Sequence, residues 1–566
     1  MPKDRPSASA ALSTIFAAAA IVLAVLAIYV LRLNPVAGLM VDDAWYILLA
    51  KALAEGHGFR LISSPTTAIL PLYPPGFPAL LSLVVRVSPE FPQNVWLLKS
   101  VSVAAMMGVG LLTYVYLHRH RHLRADLAAC AAVAATITPA FVFLATSTVM
   151  SEGVFTLSQL ATVLLIHRSA EAPDPRAGRT FAVLAAVLAA MTMLVRSAAV
   201  ALVVASVLWL LKERLWRRAA LFGGVAVLCL LPWTLYARAN TPAAAEREAH
   251  GGAVAYEYLG QLSMRWAGAP AFGRITLGEL PTRIQANLVE IFARDVGGIL
   301  VPTFFRGADE SGEELIALGR RPASMGAARE TMAISLALSA IALVGFVRMA
   351  RERLTVAEML TPIALAMIAL WPFWSFRFVL PLTPFLFLYF VSGLQILAPG
   401  VVRIVLLCLI GLNLYDHAGY IVQARDPIRS AGVDWISQAR DVEAALDWIN
   451  RAGLGNDGML ATTNPALVYL RTGRKSIACD HPTVEWCRWK QLGVRYIVAL
   501  YPLDLPTDDR REYEVLYRGT GWLWVIRMAV GHKDRVSEMA DQRRRAWLLF
   551  PVLEAPVGSP DARVIP

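Results

Sequence analysis

The chain has 566 residues, of which 57% are hydrophobic and 17% are charged, with a formal net charge of +11. Disordered chains, coiled coils, collagens and disulfide scaffolds each need a different balance, and this composition predicts a polytopic membrane protein. In such a protein an excess of Lys and Arg is expected in the cytoplasmic loops, so the positive charge gives little support to nucleic-acid binding.

Apolar stretches long enough to cross about 30 Å of hydrocarbon recur along the chain and predict about eleven transmembrane helices. The two stretches between residues 180 and 211 are each short for a full span. The predicted spans are residues 11–31, 95–117, 125–146, 152–167, 180–195, 197–211, 219–238, 331–347, 355–373, 377–397 and 402–422.

Arginine-rich connections set the predicted orientation. The segments HRHRHLR (118–124), KERLWRR (212–218) and RMARER (348–353) fall on one side if the N-terminus is cytoplasmic, which agrees with the positive-inside tendency. An odd number of helices then places the C-terminus outside, in the periplasm if the protein lies in an inner membrane.

This topology predicts two domains. Residues 1–424 form a mostly α-helical transmembrane domain with external loops 32–94 and 239–329, and residues 425–566 form an external, periplasmic α/β domain. In the second domain a helical pattern precedes strand-like segments, and EYEVLYRG and GWLWVIRM alternate like a hairpin. Cys479 and Cys487 could form a disulfide there in an oxidising compartment.

The first external loop contains VDDAWYILLAKALAEGHGF, in which Asp42 and Asp43 follow the first membrane helix by about ten residues. Solvated acids are the simplest interpretation, but an adjacent pair of carboxylates can also bind a metal ion or act as a base. A proline-rich apolar segment, residues 68–87, follows and is predicted to be kinked and to lie in the membrane interface.

Three further ionisable residues are predicted at the same membrane face. Glu152 lies in TSTVMSEGVF, Arg196 in MLVRSAAV and Arg377 in WPFWSFRFVLPLTP. Arginine between apolar helices is costly unless it meets an anion, and its planar guanidinium suits phosphate. Each arginine alone could be structural, but together with the acids they predict a site.

These features resemble the GT-C class of integral membrane glycosyltransferases, in particular bacterial relatives of the protein O-mannosyltransferases and of the lipid A aminoarabinose transferase. The resemblance rests on DDAWY after the first helix, YPPGFPALL, the acid Glu152, LVRSAA, RFVLPLTP and the external C-terminal domain. Some members of the class carry Lys before the proline where this chain has Tyr73.

The resemblance implies a reaction and a set of residue roles. A sugar would pass from a polyprenyl-phosphate donor to a hydroxyl of a glycan, lipid or protein, with inversion and with Asp42 as general base. The order of the two acids comes from the family, so Asp43 is the alternative catalytic base. Arg196 and Arg377 would bind the donor phosphate, and Asp43 and Glu152 could hold a divalent cation, Mg or Mn, if one is used. Weaker substrate-contact candidates are Tyr46, His57 and Tyr73.

Two other functions fit parts of the pattern. A transporter or flippase of lipid-linked sugars typically has broken helices and midplane charges in matching halves, and this chain shows no such halves. A lipid-linked polymer ligase or polymerase would also use external arginines, but it would not require the early acidic pair.

Overall fold

The computed structural model describes residues 8–66, 72–243, 246, 257–265, 267, 273–301, 329–373, 375–425, 434–456, 458–479, 491–500, 513–518 and 524–528. These residues are predominantly helical, and a small sheet lies in the C-terminal region. The predicted fold class is therefore confirmed.

The first half of the chain is a succession of helices. They are α1 (Ala8–Arg32), α2 (Asp42–Ala54), α3 (Gly76–Val87), α4 (Val95–Val115), α5 (Ala125–Thr136), α6 (Pro139–Thr146), α7 (Glu152–Glu171), α8 (Pro175–Val195), α9 (Val200–Lys212) and α10 (Trp216–Asn240). Pro139 is the first residue of α6. Proline is tolerated there because the first N–H groups of a helix have no partner within the helix, so the missing N–H costs no hydrogen bond. The axes of α5 and α6 differ in direction by 52°.

The second half adds shorter helices and the C-terminal membrane helices. They are α11 (Tyr258–Leu262), α12 (Leu280–Glu290), α13 (Val296–Leu300), α14 (Arg329–Glu352), α15 (Val356–Leu370), α16 (Phe376–Val379), α17 (Thr383–Leu397) and α18 (Val402–Arg425). Helix α15 begins with a capping box in which Thr355 and Glu358 satisfy each other's backbone N–H groups.

Each of the eleven predicted spans is helical, but the helices differ in their ability to cross a membrane. Six in the described part of the chain are long and apolar enough, and a seventh span results if α5 and α6 count as one. Helices α9 and α15 are shorter, and α7 is less apolar because it buries polar side chains such as Gln159 and His167. The chain is thus a multi-pass membrane protein.

Helices α14 and α17 cross at two glycines. A Cβ atom at Gly345 would overlap the backbone carbonyl of Tyr389, and one at Gly393 would overlap the carbonyl of Ile341. Such close backbone approach is typical of helix pairs in membranes, where dispersion contacts replace the hydrophobic effect as the force for association.

The C-terminal region contains α19 (Asp434–Arg451), β1 (Met459–Thr462), α20 (Pro465–Thr472), β2 (Ser476–Ala478), β3 (Val494–Ala499), β4 (Tyr513–Arg518) and β5 (Trp524–Met528). The strand order is β2-β1-β3-β5-β4; the first three strands are parallel and the last two pairings are antiparallel. The predicted hairpin is therefore confirmed. Cys487 lies outside the described residues, so the predicted disulfide remains untested. The predicted domain boundary between residues 424 and 425 falls at the end of α18 and is untested as well.

The C-terminal region contacts the segment that joins α1 to α3. The side-chain amide of Asn464 donates to the carbonyl of Gly38 at 2.8 Å, and the N–H of Ser476 donates to the carbonyl of Ser63 at 2.9 Å. The first hydrogen bond attaches the start of α20 to the loop that precedes the two adjacent acids, and the second attaches β2 to the segment after α2.

Candidate active site

The loop before α2 directs its two acids to different sides. The Asp43 carboxylate is buried and accepts hydrogen bonds from the backbone N–H groups of Gly38 (2.7 Å), Met40 (3.0 Å) and Ala44 (2.9 Å). Burial raises the pKa of Asp43 to about 6, while the Gly38 and Ala44 N–H groups oppose the rise. Successive helical residues are about 100° apart, so Asp42 faces away from this turn.

Asp42 faces the charged residues of other helices. Its side chain is 23% exposed; one oxygen accepts the Tyr73 hydroxyl at 2.5 Å and the other lies 2.5 Å from Nη2 of Arg377. Tyr73 comes from the segment before α3, and Arg377 lies in α16. Three separate parts of the chain thus meet at this carboxylate.

Glu152 links the two arginines. Glu152 is the first residue of α7, and its carboxylate is buried. Its Oε1 lies 2.6 Å from Nη1 of Arg196 and 3.1 Å from Nε of Arg377. The four side chains form an alternating series, Asp42–Arg377–Glu152–Arg196, which we call the ion-pair series. Two cations and two anions balance, which makes it possible to bury guanidinium groups that would otherwise be costly in this location.

Aromatic rings enclose the ion-pair series. The Tyr46 ring packs edge-on against Tyr73 and Phe77, with centroids 5.2 and 5.1 Å apart, and its hydroxyl lies 3.3 Å from Ser151 Oγ. The Phe378 ring lies 5.7 Å from the guanidinium carbon of each of the two arginines of the series. These rings lower the local polarity and strengthen the electrostatic interactions among the charged groups.

Six of the eight predicted site residues are therefore brought together: Asp42, Tyr46, Tyr73, Glu152, Arg196 and Arg377. Asp43 is adjacent in sequence, but its carboxylate faces its own loop. His57 lies beyond the other end of α2, about 20 Å away at 1.5 Å per residue, and its exposed ring is 3.7 Å from Glu55. It does not join the site.

The carboxylates do not fit the predicted divalent cation. Asp43 accepts backbone N–H groups and Glu152 pairs with two arginines, so their oxygens face donors and do not converge on a common point. Within the described ranges, no group of three or more His, Cys, Asp or Glu side chains is placed to hold a metal ion. The positive charge beside Asp42 comes from arginine.

Two residues near the site were not identified from the sequence. Lys99 is fully buried at the start of α4 and donates to the carbonyls of Asn34 (2.6 Å) and Thr146 (2.7 Å), which lie just before the loops that carry Asp42 and Glu152. Tyr258, in α11, is partly buried close to Ser197 and to the Arg196 and Asp42 side chains. A lysine within an apolar helix is a recognisable signal, because such a charge needs a partner.

A family model matches part of the sequence. Residues 73–236 match the model described as dolichyl-phosphate-mannose-protein mannosyltransferase. The matched segment includes Tyr73, Glu152 and Arg196. No curated protein matches the chain in a sequence search.

Solved structures show the same fold. ArnT from Cupriavidus metallidurans bound to undecaprenyl phosphate aligns with a TM-score of 0.54 at 12% identity, covering 91% of this chain and 99% of that one. The Archaeoglobus fulgidus oligosaccharyltransferase in complex with Zn and sulfate aligns with a TM-score of 0.51 at 13% identity, covering 85% of this chain and 67% of that one. The chain has the GT-C glycosyltransferase fold, which confirms the resemblance at the level of fold.

Proposed function

We propose that this chain transfers a sugar, with inversion, from a polyprenyl-phosphate donor to a hydroxyl of a glycan, lipid or protein. The observation that carries the proposal is the ion-pair series, in which a partly exposed carboxylate and two arginines lie at one end of the membrane helices. The undecaprenyl phosphate bound to the similar ArnT structure supports the choice of lipid carrier. The proposal includes an inner-membrane location, a cytoplasmic N-terminus and a periplasmic site.

Arg377 is the proposed primary ligand of the donor phosphate. Its side chain is 15% exposed and already lies against a carboxylate, whose place a phosphate oxygen could share. Arg196, at 11% exposure, supports it through Glu152. The two arginines and two carboxylates of the ion-pair series have no formal net charge. A bound sugar phosphodiester, which has one negative charge, would therefore give the site a net charge of −1.

Asp42 is the proposed general base. Glu152 and Asp43 are fully buried, whereas Asp42 has an exposed fraction through which an acceptor can approach. The acceptor oxygen forms a bond to the anomeric carbon as the bond from that carbon to the phosphate oxygen breaks. The hydroxyl proton passes to Asp42, and the polyprenyl phosphate leaves with its added charge beside the arginines.

Asp42→Asn tests this assignment. The amide cannot accept the proton usefully at neutral pH, so turnover of a labelled polyprenyl-phosphate sugar by the purified protein should fall by roughly 10²- to 10⁴-fold. Asn has nearly the same size as Asp, so the protein should still insert and fold, which size-exclusion chromatography in detergent checks.

The matched control is Glu55→Gln, which removes an exposed acid just beyond the other end of α2. It should keep wild-type turnover. Wild-type turnover in Asp42→Asn would reject Asp42 as the base. If the wild-type protein consumes none of a panel of polyprenyl-phosphate sugars, the donor class is wrong.

A further inference from the structure

Asn464 connects the C-terminal region to the loop before α2 through a fully buried side chain. Its Oδ1 accepts from the N–H of Leu467 at 3.0 Å and so caps α20, while its Nδ2 donates to the carbonyl of Gly38 at 2.8 Å. One side chain therefore has two separable functions, an acceptor within its own helix and a donor to a residue far away in the sequence.

Gly38 is held from two sides. Its N–H donates to Asp43 and its carbonyl accepts from Asn464. Its φ of 90° is in the left-handed region, and a Cβ atom there would lie 2.7 Å from Cδ1 of Leu467. Both the backbone conformation and the close approach of α20 favour glycine at this position.

The loop held in this way fixes the direction of Asp42. Val41, directly before it, has a φ of 62°, which is strained for a β-branched residue and persists only where the surroundings impose it. Within the loop, the hydrogen bonds that Asp43 accepts from the N–H groups of Gly38 and Met40 hold Val41 in this conformation. From outside the loop, Asn464 holds the Gly38 carbonyl, three residues before Val41.

We infer that Asn464 is a positioning residue for Asp42, so that the C-terminal region completes the catalytic site. The contact fixes the loop from Gly38 to Asp43 and thereby holds the Asp42 carboxylate against Arg377. The kinetic part of this inference rests on the proposed function, whereas the structural part does not.

Asn464→Asp separates the two functions of the side chain. Aspartate caps a helix as well as asparagine does, so α20 keeps its cap, but the donor to the Gly38 carbonyl is replaced by an oxygen. The hydrogen bond from Ser476 to the Ser63 carbonyl remains, so the C-terminal region should stay attached.

We expect faster deuterium uptake in peptides covering residues 36–45 of Asn464→Asp. The kcat should fall about 10- to 100-fold with the KM for the donor within about twofold, because a displacement of about 1 Å is enough to lower the rate while phosphate binding persists. The control is Asn450→Asp, the same chemical change at an exposed position of the same region, which should leave both readouts at wild-type values.

If Asn464→Asp fails to fold, Gly38→Ala changes the other partner of the same hydrogen bond. It should also increase deuterium uptake in residues 36–45 and lower kcat. Unchanged uptake in residues 36–45, or increased uptake with wild-type kcat, would overturn the inference, as would equal losses in Asn450→Asp. If the wild-type protein transfers no sugar, the proposed function fails and the uptake alone decides: increased exchange upholds Asn464 as the residue that holds the loop, and unchanged exchange rejects it.

Discussion

At the scale of single residues, Arg377 pairs with two carboxylates of the site. Its Nη2 faces Asp42 while its Nε faces Glu152, so the two edges of one planar group serve two carboxylates. A lysine ammonium is a single point charge and cannot reach both. The geometry of the guanidinium, and not only its charge, is required here.

Arg377→Lys should therefore weaken donor binding while the protein remains folded. Hydrogen bonds to charged groups contribute about 1.5–3 kcal/mol, so we expect the Kd for polyprenyl phosphate to rise by roughly 10- to 100-fold. This Kd is measured on the detergent-purified protein by competition between unlabelled and fluorescent polyprenyl phosphate.

Arg348→Lys is the matched control, since Arg348 is partly exposed and pairs only with Glu352 among the ion pairs described for it. Its affinity should equal that of the wild type. An unchanged Kd in Arg377→Lys would assign Arg377 to the structural support of Glu152 and Asp42.

Much of the site was accessible from the sequence at this scale, because an ionisable residue between apolar helices needs a partner. That rule alone selects Glu152, Arg196 and Arg377. It could not separate Asp42 from Asp43, since the direction of each side chain depends on the left-handed backbone at Val41 and on hydrogen bonds within the loop. Nor could it show that Asp43 accepts backbone N–H groups while Glu152 pairs with two arginines, and the predicted divalent cation stays a prediction.

At the scale of elements, the crossing of α14 and α17 depends on the absence of side chains at Gly345 and Gly393. Gly345→Ala places a methyl group against a backbone carbonyl that cannot move without displacing its helix. We expect a loss of about 1–3 kcal/mol in the free energy of unfolding, measured by denaturation in a fixed mixed micelle.

The control for this crossing is Gly411→Ala in α18, where a Cβ atom would meet nothing within 4 Å. That substitution should be neutral or should stabilise by up to about 1 kcal/mol, because alanine favours the helix. Equal destabilisation by both variants would mean that the crossing is not the cause.

Hydrophobic runs located the membrane helices well because each run is a local property of the chain. They identified the shortness of α9 within residues 180–211, but they underestimated α8, which is long enough to span a membrane, and did not reveal that α15 is short. Helix α7 is not among the candidate spans because it contains polar residues such as Glu152, Gln159 and His167. That these side chains are buried against other helices is a property of the assembled bundle.

At the scale of the whole molecule, the orientation predicted from the arginine-rich connections is open to a direct test. Gln93, before α4, and Pro173, between α7 and α8, are both exposed. With the native cysteines replaced by alanine, a membrane-impermeant maleimide should label Gln93→Cys in intact cells and Pro173→Cys only after the membrane is disrupted. Labelling of both, or the reverse pattern, would contradict the orientation.

The attachment of the C-terminal region to the loop before α2 was beyond sequence reasoning. Periodicity and charge patterns report neighbours within a few tens of residues, and they indicated the helix and the hairpin of that region correctly. The partner of Gly38 is 426 positions away, and neither residue carries a pattern that indicates the other.

That separation has a consequence for biosynthesis. At about 5–20 residues per second, the ribosome reaches Asn464 roughly 20–85 s after it has made Gly38. During this interval the membrane helices are already being inserted, while the Gly38 carbonyl still lacks its partner. The loop that carries Asp42 can therefore gain this hydrogen bond only after residue 464 has been made, well after the loop itself and the membrane helices of the first half of the chain.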